Sequence, residues 1–195
     1  MRPTPIFKAL LLFAVIIGLG ITGFAFALLH KEGFDEQIQF SLLDHSGVHV
    51  TQEDFRDQYL LVYFGFTSCA NTCPIQMSKM TQVMQQLDQD QIEKRVTPVL
   101  ITVDPERDTV ERLAEYLQHF DNRFLGLTGT PASIEKTRAS FKALFKKEET
   151  ILDNNYNVSH TSVIYVVNPL SQIVGYIPFE ADAAAITSRV RELIL

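Results

Sequence analysis

Cysteine is scarce in this chain: Cys69 and Cys73 are the only two in 195 residues. Two cysteines cannot staple a disulfide-rich scaffold. Positive charge is also short, with 17 Lys and Arg against 23 Asp and Glu, for a formal charge of −6. A chain without a basic surplus has no electrostatic hold on a phosphate backbone, so nucleic acid is not expected as a partner. Internal repeats and Gly/Ser-rich linkers are missing, so nothing in the sequence divides its second half from its middle. The charged share of 21% is ordinary for a globular protein, which argues against wholesale disorder.

What is plentiful is apolar sequence near the start. The mean hydropathy of +0.06 is high for a chain with this many charges, and the run Ala9 to Leu29, ALLLFAVIIGLGITGFAFALL, accounts for it: 21 residues without one charge. At ~1.5 Å per residue such a helix matches the ~30 Å hydrocarbon core of a bilayer. Arg2 and Lys8 precede the run, and Lys31, Glu32, Asp35 and Glu36 follow it. The short positive flank is expected to stay in the cytoplasm and send the rest of the chain outside. Ala25-Phe26-Ala27 resembles a signal-peptide cleavage site, but signal cores run to ~7–15 residues. The expectation is an uncleaved, single-pass anchor in a bacterial inner membrane, with the domain on the periplasmic or outer side. No Cys follows the run, which argues against a lipoprotein anchor, and Arg/Ser enrichment typical of a transit peptide is absent. The organisation read here is a tail and transmembrane anchor over 1–29, a juxtamembrane spacer over 30–36 and one domain over 37–195. Arg2 and Lys8 are the only charges before residue 30, so leaving them out takes the −6 of the chain to −8 for the outer part.

Within the domain, hydrophobic periodicity predicts the elements. Ile38 to Leu42 alternates as a half-buried strand does, Asp44-His45-Ser46-Gly47 reads as a turn, and Val48 to Val50 as its return strand. Thr51 to Phe55 reads as a short helical turn opened by a Thr cap. Leu60 to Phe66 and Val96 to Val103 are continuous apolar runs, as in strands buried on both faces. After Pro74, the positions Met77, Met80, Val83, Met84 and Leu87 recur at helical spacing. Helices are predicted over Thr109 to Phe120, capped by Asp108 or Thr109, over Pro131 to Phe145 behind Thr130, and over Ala181 to Leu193. Phe124 to Thr128, Thr161 to Val167 and Gln172 to Pro178 read as strands, and Lys146 to Ser159 as a polar, irregular loop. Strands and helices in the order ββ, βαβαβα, ββα predict an α/β fold. A βαβ core with a ββα end is the thioredoxin-like arrangement, a central mixed sheet flanked by helices with an N-terminal hairpin.

The two cysteines sit between the first core strand and its helix, where that arrangement carries its chemistry. Cys73 precedes Pro74 at a helix start, where the helix dipole is expected to lower a thiol pKa. Three readings of the pair stay open. A structural disulfide constrains little in so small a loop. A dithiol redox enzyme more often carries C-x2-C, one residue shorter. A soft-metal site suits two thiolates, which select Cu(I), Zn or iron–sulfur, with a third imidazole making a trigonal site.

Of the five histidines, His30 lies at the expected membrane exit, His45 in an exposed hairpin turn, His49 by a short strand and His119 at a helix end. His160 immediately precedes a core strand, which the fold would bring towards the cysteine loop. Thioredoxins place a proline at the equivalent point, and no proline lies between Pro131 and Pro169 here. That counts against a plain oxidoreductase. Val103-Asp104-Pro105-Glu106-Arg107-Asp108-Thr109 joins a core strand to a helix. Asp104 is either a turn residue or sits near the cysteine loop as an outer support or a weak oxygen ligand, and Asp108 and Thr109 read as caps. The stripe Met77, Met80, Met84 fits a core face better than a metal path.

These residues carry a resemblance. YFGFTSCANTCP (Tyr63 to Pro74), VDPERDT (Val103 to Thr109), GLTGT (Gly126 to Thr130) and VSHTSVIYVVNP (Val158 to Pro169), in this order behind an N-terminal anchor, resemble the Sco/SenC copper chaperones of cytochrome c oxidase assembly. The resemblance implies a thioredoxin-like fold. It also implies a metallochaperone rather than an enzyme, binding copper as Cu(I) or Cu(II) through Cys69, Cys73 and His160. The implied partners are the copper-site subunit of the oxidase, a copper-delivering or thiol-reducing protein, and the membrane. Many members have a His before the first Cys and Pro-Asp after it, where this chain has Ser68, Ala70 and Asn71. The alternative is a membrane-anchored thiol–disulfide oxidoreductase or redox sensor using Cys69 and Cys73 as a redox-active disulfide.

Overall fold

The continuous apolar runs become the centre of a sheet. A computed structural model describes residues 37–89, 95–148, 157–160 and 162–194. The strands are β1 (Ser41–Asp44), β2 (His49–Thr51), β3 (Tyr59–Gly65), β4 (Val96–Thr102), β5 (Leu125–Thr128), β6 (Phe145–Glu148), β7 (Asn157–His160), β8 (Val163–Val167) and β9 (Ile173–Pro178). The helices are α1 (Thr72–Asp88), α2 (Val110–Leu117), α3 (Pro131–Phe141) and α4 (Ala183–Ile194), and a 3-10 turn covers Gln52–Phe55. Among the described residues no helix is long and apolar enough to cross a membrane. The run Ala9 to Leu29 lies outside the described residues.

Seven strands form one sheet in the order β2-β1-β5-β4-β3-β8-β9. β3 pairs in parallel with β4, and β4 with β5, while β1 joins β5 and β8 joins β3 antiparallel. The sheet is therefore the mixed, thioredoxin-like one expected, with a hairpin at each edge. Side chains of a strand alternate between faces, and β3 uses both. Tyr63 reaches Cys73 at the start of α1, while Phe64 stacks edge-on against Phe141 of α3 with centroids 5.2 Å apart. Burial on both faces is why this strand has no polar position from Leu60 to Phe64. Met77, Met80, Val83, Met84 and Leu87 of α1 are all fully buried, so the methionine stripe is core. Each such side chain contributes roughly 1.5–3 kcal/mol of hydrophobic stabilisation.

Turn and cap chemistry follows the sequence closely. Gly47 takes φ +85° in the first hairpin, a backbone region open to glycine at no steric cost. Thr51, Thr109 and Thr130 accept hydrogen bonds from backbone N–H groups of the turns they open.

Two expectations need correction. The helix read as Pro131 to Phe145 stops at Phe141, where Lys142 adopts a left-handed conformation (φ 53°) and Ala143 N–H donates to the Arg138 carbonyl. The apolar residues Phe141, Leu144 and Phe145 mimic a continued helical face, but the chain has already turned into a strand. The segment read as irregular from Lys146 to Ser159 carries a two-stranded antiparallel sheet, β6 with β7, in which Phe145 pairs with His160. Its residues are mostly polar, so no apolar alternation marked it.

Candidate metal centre

Leaving β3, the chain must enter α1 within six residues, Phe66 to Asn71. Cys69 N–H closes this turn on the Phe66 carbonyl at 3.3 Å. Asn71 occupies the N-cap position but its side chain makes no capping bond. The N–H of Cys73, one of the donors a helix start leaves unpaired, points at Cys69 Sγ at 3.4 Å. The Cys69 thiol thus takes the place a Ser or Asp oxygen has at most helix starts, and the C-x3-C spacing is what lets it reach. No disulfide joins the two cysteines; Cys69 is half-buried at the rim and Cys73 fully buried behind it.

Cys73 is packed closely. The Tyr63 hydroxyl donates to its sulfur at 3.7 Å. A side chain at Gly65 would bring a Cβ to 3.2 Å from Cys73 Sγ and 2.9 Å from the Tyr63 ring. Glycine at the end of β3 therefore makes room for the thiol. Burial, followed by the neighbouring Cys69 thiol, pushes the Cys73 thiol up to about 12, against a downward pull from a Phe66 backbone hydrogen bond and from Tyr63. This corrects the expectation of a lowered thiol pKa. Cys73 sits at the helix start, but desolvation of a charge outweighs the dipole there.

The acidic strand end follows β4, the parallel neighbour of β3, and therefore ends beside the cysteine loop. Asp108, read as a cap, is instead a brace. Its buried carboxylate accepts from Thr67 N–H at 3.0 Å, Thr67 Oγ1–H at 2.6 Å and Thr102 Oγ1–H at 2.7 Å. The cap is Thr109 alone. Arg112 of α2 reaches the same Thr67 oxygen at 2.8 Å. Asp104 is fully buried and accepts from Arg107, whose guanidinium lies 5.7 Å from the centroid of the Phe66 ring. So the Val103 to Thr109 segment grips the cysteine loop at both Phe66 and Thr67. Sequence reasoning missed the Asp108 brace because Thr67 lies 41 residues away. The only signal was that both residues follow adjacent strands.

Tyr116 on α2 is a further residue the sequence did not mark. Its hydroxyl is buried with no hydrogen-bond partner among the described residues. Burial holds it protonated well above the usual tyrosine range, and the Cys73, Cys69 and Asp108 side chains add to that effect. Gln76, one turn beyond Cys73, is likewise fully buried, with both amide atoms unpartnered among the described residues.

His45 is not the exposed turn residue expected: it is half-buried and its Nδ1 accepts from Gly126 N–H at 3.2 Å. His49 pairs with Ser41 at 2.8 Å, and His119 lies in the turn beyond α2. His160 ends β7, three residues before β8. Its side chain, like His30, lies outside the described part. Among the described residues no group of three His, Cys, Asp or Glu could hold a metal ion. The structure thus brings Cys69 and Cys73 together, and sets Asp104 behind the loop.

Against known proteins, the SCO1/SenC family model matches residues 30–195. The mitochondrial SCO2 homolog of Bos taurus is 36% identical over 201 residues, covering 96% of this chain and 76% of that protein. The human mitochondrial SCO2 homolog is 40% identical over 155 residues, covering 80% of this chain, which spans only 58% of that protein's length. The crystal structure of Arabidopsis thaliana ScoI with copper bound superposes with a TM-score of 0.76 at 32% identity, covering 82% of this chain and 98% of that one.

Proposed function

The chain belongs to the SCO1/SenC family, and we propose that it is a membrane-anchored copper metallochaperone assisting assembly of the copper centre of a respiratory cytochrome oxidase. The observation that carries this is the Cys73 N–H to Cys69 Sγ contact at 3.4 Å, which holds two soft donors together at the cysteine loop. Copper is cargo here, and a cargo site must be exposed on one side and low in coordination so that a partner's ligands can displace its own. Half-buried Cys69 and buried Cys73 meet that need. The donor set fits a soft ion: two thiols from the loop, with His160 as the third ligand. Support for His160 comes from the backbone. β8 runs antiparallel to β3 with Ile164 opposite Tyr63, so β8 begins at the cysteine end of the sheet, and three residues reach at most ~10 Å.

Binding then runs through protons. The Cys73 thiol, at about 12, holds its proton in the free protein at neutral pH. Copper must displace it, so binding releases protons and tightens as pH rises. Asp108, Thr67 and Asp104 hold the loop in place while the sulfurs exchange a proton for the ion. The anchor over 1–29 and spacer over 30–36 keep the domain at the membrane that carries the oxidase.

A second reading, a thiol–disulfide exchanger or redox sensor, is favoured by the same pair, since a rim thiol can attack and a buried neighbour can resolve. The test is copper binding by the full chain, reduced and oxidised. The chaperone reading expects one copper per chain in the dithiol form, lost in Cys69→Ser and Cys73→Ser, with a changed thiolate-to-Cu(II) absorption in His160→Ala. Copper binding in neither form overturns it in favour of the second reading. An unaltered His160→Ala spectrum overturns the third ligand.

A further inference from the structure

Cys73 is fully buried, yet a cargo ion is handed on only if a partner's ligands reach both sulfurs. Cys73 sits on the first turn of α1, whose Met77 and Met80 are locked in the core. Access to its sulfur therefore depends on the loop before it. Ser68, Ala70 and Asn71 of that loop are exposed, and Asn71 makes no side-chain cap bond. Thr67 is different. Its N–H and Oγ1–H donate to Asp108, and its Oγ1 accepts from Arg112 Nε–H at 2.8 Å. Asp108 is itself fixed to the sheet: its carboxylate accepts from Thr102 Oγ1–H of β4 at 2.7 Å, and its carbonyl from Thr128 Oγ1–H of β5 at 2.8 Å. Arg112 stands on α2, which buries Leu113 and Leu117. Arg56, Arg107, Arg123, Arg138 and Arg189 each pair with a carboxylate. Arg112 is aimed at a hydroxyl instead, although it is exposed and the chain is rich in acids. A hydroxyl that accepts from a guanidinium while donating to a carboxylate is strengthened at both ends.

We propose that Arg112 is a positioning residue of the dithiol: its Nε–H bond to Thr67 latches the cysteine loop to α2 and so sets how often the loop lifts to uncover the Cys73 sulfur. The latch lies at the surface, where one side chain can be released without opening the core. Local openings of this kind take less free energy than global unfolding. A latched loop keeps the buried donor covered between partners, and a released one admits an incoming ligand. This deepens the chaperone reading and rests on it for its purpose, while the latch itself concerns only the loop.

The experiment compares Arg112→Met and Arg112→Gln in the full chain. Met keeps the apolar stem and removes the donor. Gln removes the charge but carries an amide N–H, on Nε2, as many bonds from the backbone as Arg Nε. The first readout is hydrogen exchange in the metal-free protein at the amides of Thr67, Cys69 and Cys73, which bond to Asp108, the Phe66 carbonyl and Cys69 Sγ. The second is the rate at which a chelating competitor strips Cu(I) from the loaded protein. In Arg112→Met both rates are expected to rise roughly tenfold, the size of one hydrogen bond to a charged group, with the amides of β3 and β4 unchanged. Arg112→Gln is expected to stay within about threefold of the parent in both. Loop exchange within about twofold of the parent in Arg112→Met overturns the latch. Equal acceleration in β3 and β4 does so too, because Arg112 would then support the whole fold. A Gln variant that behaves as the Met variant overturns it as well, since the charge and not the donor would be responsible. Faster loop exchange with unchanged Cu(I) loss overturns the link to Cys73. If the parent chain binds no Cu(I), the chaperone reading fails, and the exchange measurement still decides the latch.

Discussion

Cys73 sets the chemistry of the site through its burial. Its pKa moves from the ordinary 9.0 to about 12 in the fold, so the folded chain holds this proton more tightly than the unfolded one. The resulting stability is fully present below about pH 9 and is lost as pH climbs from about 9 towards 12. Denaturant unfolding followed across about pH 8 to 11 is expected to show a smaller alkaline loss in Cys73→Ser than in the parent; equal losses would refute the assignment. Gln76 makes the complementary prediction. Its buried amide has no partner among the described residues, on the helix face that also buries Cys73, Met77 and Met80. Gln76→Met is expected to raise unfolding stability by about 1–2 kcal/mol in a urea titration, and a loss of stability would show that the amide is satisfied in solution. Nothing local in the sequence separates Gln76 from the exposed glutamines of the same helix. Helical spacing places it on the buried face, but only packing shows that it lacks a partner.

At the scale of elements, the decisive contact is between two loops that follow neighbouring parallel strands. A lost N-cap threonine costs about 1 kcal/mol, and that is the expected effect of Thr109→Ala. Asp108→Ala should cost about 3 kcal/mol or more, because the buried hydroxyl of Thr102 and two half-buried donors of Thr67 lose their acceptor at once. Urea midpoints of the two variants, at unchanged slope, check the contrast, and equal small losses would return Asp108 to the role of a mere cap. The strands of the main sheet, the helices and three threonine caps were legible because each depends on periodicity or on a residue two or three positions away. The β6–β7 hairpin was not legible: its strands are short and largely polar, and their pairing joins Phe145 to His160 across fifteen residues.

Across the whole molecule, the parallel register of β3 with β4 gathers the cysteine loop and the acidic segment at one end of the sheet. The chain enters the domain at the other end, where Gln37 bridges Gln172 beside the β8–β9 turn. Fractionation checks the proposed anchor: a variant lacking 1–29 should move from the membrane to the soluble fraction, and retention in the membrane would show another means of attachment. The sequence by itself determined the strands of the main sheet and the helices, the uncharged run Ala9 to Leu29 and the closeness of Cys69 to Cys73, because all of these are carried by local order and spacing. Only the tertiary structure decided that Cys73 is desolvated rather than activated, and that Asp108 braces the loop rather than caps a helix. Burial and hydrogen bonding depend on residues tens of positions away, and the spacing of residues along a chain does not encode what will surround them.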